Sequence, residues 1–208
     1  MKTILEAIQQ VKELSKENFD ATVEAHINLQ LDVKKGQNIR YSLTLPKGTG
    51  KTKKVAVISS KTVPNADLQL SIEDIDKIIS GKIQAKQDFD IIVCEPRYMA
   101  NLAKAARVLG PAGLMPNPKT GTVTENVEGA VQNIKQGQVQ IKTEKDVAII
   151  HTIIGKVSFT DEDLMANFIA VITSIKQNKP QKAKPNWIKN AYICSSMGQS
   201  TQVDLSML

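Results

Sequence analysis

The chain has 208 residues, long enough for one large domain or two small ones, each with a buried core. Lysine and arginine outnumber aspartate and glutamate by 27 to 21, and the resulting +6 charge favours a polyanionic partner such as nucleic acid. No apolar run approaches the roughly 18 to 20 residues of a membrane span, and the start has the marks of neither a signal peptide nor a transit segment, so the expectation is a cytoplasmic protein that engages no membrane.

Residues 2–16 place Ile4, Leu5, Ile8, Val11 and Leu14 on one helical face, which predicts an amphipathic opening helix. From Phe19 the sequence alternates: Ala21, Val23, Ala25, Ile27 and Leu29 point one way, and Thr22, Glu24, His26 and Asn28 the other. After a Lys34-Lys35-Gly36 turn, Ile39, Tyr41, Leu43 and Leu45 alternate with Arg40, Ser42 and Thr44. The expectation is two half-buried strands sharing a polar face that bears Thr22, Glu24, His26 and Arg40.

Gly48-Thr-Gly-Lys-Thr52 imitates a phosphate-binding loop, but position 45 is Leu45 where the first glycine should stand. The chain then runs into Lys53-Lys54-Val-Ala-Val-Ile, a strand pattern, so no helix N-terminus is there to hold a phosphate. From Val55 short apolar strands alternate with helices, the pattern of a parallel α/β unit. Val55 to Ile58 reads as a strand, Ser71 opens a short helix with Asp74 in capping-box position, and Gly81 stops it. Phe89 to Cys94 reads as a buried strand, and Pro96 begins a helix carrying Met99, Leu102, Ala103, Ala106 and Leu109.

Residues 109–124 read Leu-Gly-Pro-Ala-Gly-Leu-Met-Pro-Asn-Pro-Lys-Thr-Gly-Thr-Val-Thr. The glycines Gly110, Gly113 and Gly121 and the prolines Pro111, Pro116 and Pro118 predict neither helix nor central strand. The expectation is a rigid loop that packs Leu114 and Met115 and presents Asn117 and Lys119, or simply a stiff connection. Val127, Ala130, Val131 and Ile134 then make a helix face closed by Gly137. Strands follow at Val139 to Ile141 and Val147 to Ile154, joined by a polar turn over 143–146. Thr160 and Asp161 start a long helix with Leu164, Phe168, Val171, Ile172 and Ile175 inside. Lys176, Lys179, Lys182, Lys184 and Lys189 then occur with no acid from Leu164 to Val203, which fits a solvated face or a phosphate-contacting edge. Trp187 to Ser196 reads as the last strand, ending in the abrupt Met197-Gly198 turn.

The inventory for chemistry is nearly empty. Cys94 and Cys194 fit no metal spacing and read as reduced thiols, and neither His26 nor His151 has a cysteine or histidine nearby in sequence. No nucleophile elbow or dinucleotide fingerprint is present, and capping explains Asp161, Glu162 and Asp163 at a helix start. The reading is a binder without cofactor rather than a catalyst. With 4% aromatic residues it suits a structured RNA recognised by shape and 2′-hydroxyl groups more than a stacked single strand.

The stretch from Leu109 to Lys119 resembles the signature of the ribosomal protein L-one family, which reads Leu-Gly-Pro-Arg-Gly-Leu-Met-Pro-Asn-Pro-Lys and differs here at Ala112. The resemblance extends over nearly the whole chain. It implies an α/β protein of two domains. One is a split α+β RNA-binding domain from residues 1–48 and 139–208; the other is a Rossmann-like α/β domain inserted at 49–138 through two hinge strands. It also implies, in many members, a further N-terminal helix ahead of the one read here.

The implied RNA contacts are Phe19, Thr22 and Glu24 on the first strand, Lys156, Asn190 where the family commonly has serine, and Ser196, Met197 and Gly198. Chemically, Thr22 and Ser196 offer hydroxyls, Glu24 can only accept, and Gly198 permits close backbone approach. Phe19 fits a core position as well as a stacking one, and Met197 a buried gap-filler as well as an exposed contact. Lys156 fits a plain surface lysine as well as a phosphate contact. The resemblance further implies that the protein is monomeric within the ribosome, where it binds large-subunit ribosomal RNA at the mobile stalk. It implies a role in release of exit-site transfer RNA and repression of its own messenger RNA. The alternative is a nucleotide-binding enzyme using the middle block.

Overall fold

The computed structural model describes residues 2–33, 36–84, 87–145, 147–181 and 183–205. Lys34 and Lys35 of the expected turn, Asp146, and Lys182 of the lysine run lie outside them. The chain is a mixed α/β protein that divides into two compact units, Met1–Lys51 with Gly137–Leu208, and Thr52–Gln136.

The first unit contains α1 (Ile4–Leu14), β1 (Thr22–Leu29) and β2 (Arg40–Thr44). The second holds β3 (Val55–Ile58), β4 (Leu68–Gln69), α2 (Asp74–Ile79), β5 (Ile91–Cys94), α3 (Met99–Leu102), α4 (Ala106–Ala112) and α5 (Val127–Lys135). The chain returns to the first unit with β6 (Gln138–Lys142), β7 (Ile149–Lys156), α6 (Asp161–Gln177), β8 (Ile188–Ser195) and β9 (Thr201–Val203).

In the first unit β1 is central. It pairs antiparallel with β7 on one side and β8 on the other, and β9 completes a four-stranded sheet in the order β7-β1-β8-β9. The alternation of β1 sends Val23, Ala25, Ile27 and Leu29 into a core shared with Ile8 and Val11 of α1 and Phe168, Val171, Ile172 and Ile175 of α6. Both helices therefore cover one face of the sheet, and the other face, bearing Thr22, Glu24, His26 and Asn28, stays half-exposed. Thr3 caps α1 with a reciprocal box to Glu6, and the Thr160 side chain accepts from Asp163 N to start α6. Lys12 joins the two helices by donating to Asp161 at 2.6 Å.

The expected shared polar face of the first two strands does not form. Both edges of β1 are already filled, so β2 pairs with β6 in a separate two-stranded sheet, and Arg40 lies apart from the row of Thr22, Glu24 and His26. Gly48 to Thr52 is no phosphate loop either. Asn167, fully buried on α6, donates to the carbonyls of Gly48 at 3.0 Å and Ile154 at 2.7 Å, while its Oδ1 accepts from Lys47 N at 3.0 Å. A buried amide with its partners in place ties this turn to the core.

The second unit is a parallel sheet in the order β4-β3-β5. All four residues of β3 are buried because both faces are covered. Val55 and Val57 pack with Val127, Val131 and Ile134 of α5, and Ala56 and Ile58 pack with Ile75 and Ile78 of α2 and with Leu102 and Leu109. Burial pushes the Cys94 thiol up to about 11, which suits a packing residue. At α2 the capping differs from expectation. Ser71 does not cap; instead the Asp74 carboxylate accepts from Ser71 N and Oγ, both at 2.8 Å.

The helix after Pro96 also runs further than its sequence suggests. Gly110, Pro111 and Ala112 form the last residues of α4, and Gly113, with φ +74°, closes it. Pro111 lies inside α4 and brings no amide hydrogen to the preceding turn, and the end is tied by Gly113 N to Gly110 O and Leu114 N to Leu109 O, both at 3.0 Å.

Candidate nucleic-acid interface

Three segments meet at one end of the four-stranded sheet: the residues leading into β1, the turn after β7 and the turn after β8. Antiparallel pairing sets Thr22 opposite Lys156 and Val23 opposite Ser195. Beyond the ladder, Ser196 N donates to Thr22 O at 2.8 Å and Val157 N to Ala21 O at 3.0 Å. Lys156 Nζ donates to Asp20 O at 3.0 Å and to Thr22 Oγ1 at 2.9 Å. The Asp20 carboxylate accepts from Ser158 N at 3.1 Å and Ser158 Oγ at 3.0 Å. Asp20 thus locks two of the segments together, a role its sequence position did not disclose.

On this frame Phe19 and Met197 stand outward, at 57% and 91% exposure. The core and gap-filler readings of these two side chains are therefore set aside. Met197 is held at φ +68°, the only non-glycine residue with positive φ among the described residues. Gly198 N donates to Ser195 O at 2.9 Å, and a Cβ at Gly198 would stand 2.1 Å from the buried Ser195 hydroxyl, so a side chain there must displace it. The turn aims Met197 into solvent and exposes main chain beside it.

The remaining expected residues continue along the uncovered face. Glu24 holds its carboxylate 3.9 Å from His26 Nε2, and half-buried Asn190 accepts from Gln202 Nε2 at 3.3 Å. Lys156 spends two ammonium hydrogens inside the protein, leaving one for a ligand, so its first task is bracing. The arrangement offers hydroxyls, one acceptor-only carboxylate, an ammonium hydrogen and two apolar surfaces. That is binding chemistry. Among the described residues no group of three or more His, Cys, Asp or Glu could hold a metal ion, and no helix is long and apolar enough to cross a membrane.

The Gly110 to Gly121 stretch belongs to the other unit, and its chemistry turns inward. Leu114 and Met115 pack on the cluster around Leu102 and Leu109, and Pro116 is buried. Asn117 is not presented. Its Oδ1 accepts from Lys119 N at 2.9 Å to cap a short 3-10 turn, Pro118–Thr120, which Gly121 ends at φ +69°. Asn117 N donates to Thr122 Oγ1 at 2.8 Å, and the chain then runs beside β5, where Cys94 N donates to Thr122 O at 3.0 Å. Lys119 alone of the expected pair is exposed.

The fold is that of a mixed α/β protein. Residues 11–199 match the model of the Ribosomal protein L1p/L10e family, and the chain belongs to that family. It is a ribosomal protein of structural type, not an enzyme. It is 44% identical over 205 residues to "Large ribosomal subunit protein uL1" of Mesoplasma florum, covering 97% of this chain and 89% of the relative. The relative of the same name from Lactobacillus acidophilus is 43% identical, with the same coverage of each chain. That from Thermosynechococcus vestitus is 41% identical over 98% of this chain and 87% of its own.

Proposed function

We propose that the protein is a structural constituent of the large ribosomal subunit that binds a folded site in large-subunit ribosomal RNA at the base of the mobile stalk. The observation that carries this reading is the outward presentation of Met197, 91% exposed on a turn bonded to Thr22, in a chain whose relatives are named large ribosomal subunit proteins. An exposed apolar side chain at a built, hydrogen-bonded turn fits a surface that becomes covered on assembly. The RNA minor groove is wide and shallow and displays 2′-hydroxyls. Ser196 and Thr22 supply hydroxyls to them, Glu24 accepts from 2′-hydroxyls or base amino groups, and Phe19 and Met197 lie against sugar or base.

In this reading the two compact units are two domains: a split α+β domain that supplies most of the RNA affinity, and an inserted Rossmann-like domain that modulates it. The protein acts as a monomer within the ribosome and takes part in release of exit-site transfer RNA. It also represses its own translation by binding a messenger RNA mimic of the ribosomal site.

The test is a salt titration of binding to a stalk-base ribosomal RNA fragment beside a scrambled hairpin, with wild type and Ser196→Val. A preference for the stalk fragment that persists at high salt and drops in the variant supports the reading. Equal, steeply salt-dependent binding to both RNAs would reduce the protein to a basic surface and defeat it.

A further inference from the structure

One row of side chains crosses the uncovered sheet face from strand to strand. The register sets His151 of β7 opposite His26 of β1, His26 opposite Tyr192 of β8, and Tyr192 opposite Gln202 of β9. The row includes both histidines of the chain, although the composition is poor in rings. The two imidazoles meet edge to face, with centroids 4.8 Å apart, planes at 66° and their Nδ1 atoms 2.6 Å apart. At that distance one ring nitrogen donates and the other accepts, so the pair shares a single hydrogen between the Nδ1 atoms. His151 is exposed, while His26 and Tyr192 are half-buried.

We infer that His151, His26 and Tyr192 form a second contact row for the RNA, a strip of ring edges and faces that receives bases or sugars and makes the affinity depend on pH. The inference rests on the RNA-binding reading above and deepens it. Its ground is continuity. Ser196 and Asn190, both assigned as contacts, lie six residues apart along β8, roughly 20 Å of strand. On β1, Glu24 precedes His26 on the same face. An RNA that reaches from Ser196 to Asn190 must pass over Tyr192, and one that touches Glu24 has His26 next to it.

The pH dependence follows from the groups around the pair. Its neighbours are Glu24 on β1 and Cys194 and Tyr192 on β8, and His26 Nε2 lies 2.9 Å from Cys194 Sγ. Burial chiefly, and His151 next, hold His26 below its ordinary range, with Glu24 opposing, and a proton that His26 gains as pH falls adds positive charge to the strip. Added positive charge on the strip then favours the phosphate backbone, and RNA affinity rises as pH falls.

The experiment is a titration of stalk-base RNA against the full chain between pH 5.5 and 8, with wild type, Tyr192→Leu and His151→Gln; a scrambled hairpin is run in parallel, and melting temperatures confirm folding. Tyr192→Leu is expected to weaken binding about 5- to 150-fold, the range for loss of one base–ring contact. His151→Gln is expected to weaken it several-fold and to flatten the rise toward acid pH. Wild-type affinity and pH profile in both folded variants, with stalk preference intact, overturns the contact row and leaves the RNA reading standing. Loss of preference between stalk fragment and hairpin in the wild type overturns both.

Discussion

Asn167 shows how one buried side chain can hold a first-unit turn that composition makes look like a ligand loop. Its amide serves Lys47 N and the carbonyls of Gly48 and Ile154 with no exposure to solvent. Asn167→Leu strips these partners at a site water does not reach and is expected to lower stability by about 2–4 kcal/mol, read as a fall in the urea midpoint without a change in slope. Asp74 gives a second prediction. The Lys77 ammonium, with Ser71, holds its carboxyl down to about 2 from the ordinary 3.8. A group depressed on folding contributes above its unfolded value and loses that contribution as pH falls through its folded one. Melting temperatures of wild type and Asp74→Asn should therefore differ at neutral pH and converge between about pH 4 and 2. A constant difference across that window would remove Asp74 from the acid response.

Elements with a strong local pattern were legible in the sequence. The alternation of β1, the apolar run of β3 and the Thr160 start of α6 each carry their own signal, through period two, two-sided burial and a capping hydroxyl. Pairing carried none. That β1 joins β7 and β8 while β2 joins β6 is decided by long-range packing, and β9 is three residues long, too short for a period to show. The run through Gly110-Pro111 went the other way, because a tie between Leu109 and Leu114 overrides a local stop signal. Two glycines at the end of α4 carry a prediction each. Gly110 is helical with open space around its Cβ direction, but Pro111 follows it and a proline disfavours the helical region for a preceding residue that carries a Cβ, so Gly110→Ala should give no stabilisation. Gly113, at φ +74°, also has open space, but Gly113→Ala should destabilise by about 1–2 kcal/mol, since the left-handed conformation disfavours a Cβ. Thermal melts check both, with Gly113→Ala expected below wild type and Gly110→Ala not above it.

For the whole molecule, the +6 charge favoured a polyanionic partner, and the signature stretch gave the family. Sequence named Phe19, Thr22, Lys156 and Ser196, but not the carboxylate of Asp20 that holds their frame or the ring row crossing three strands, because both arise from pairing between segments more than 100 residues apart. On the proposed function, RNA covers the first unit at Phe19 and Met197. Hydroxyl-radical footprinting of the free and stalk-RNA-bound chain, read by mass spectrometry, tests it most directly. Met197 and Phe19 should lose most of their reactivity in the complex while exposed Ile72 of the second unit keeps its own. Reactivity unchanged at Met197 and Phe19 in a fully bound sample would contradict it.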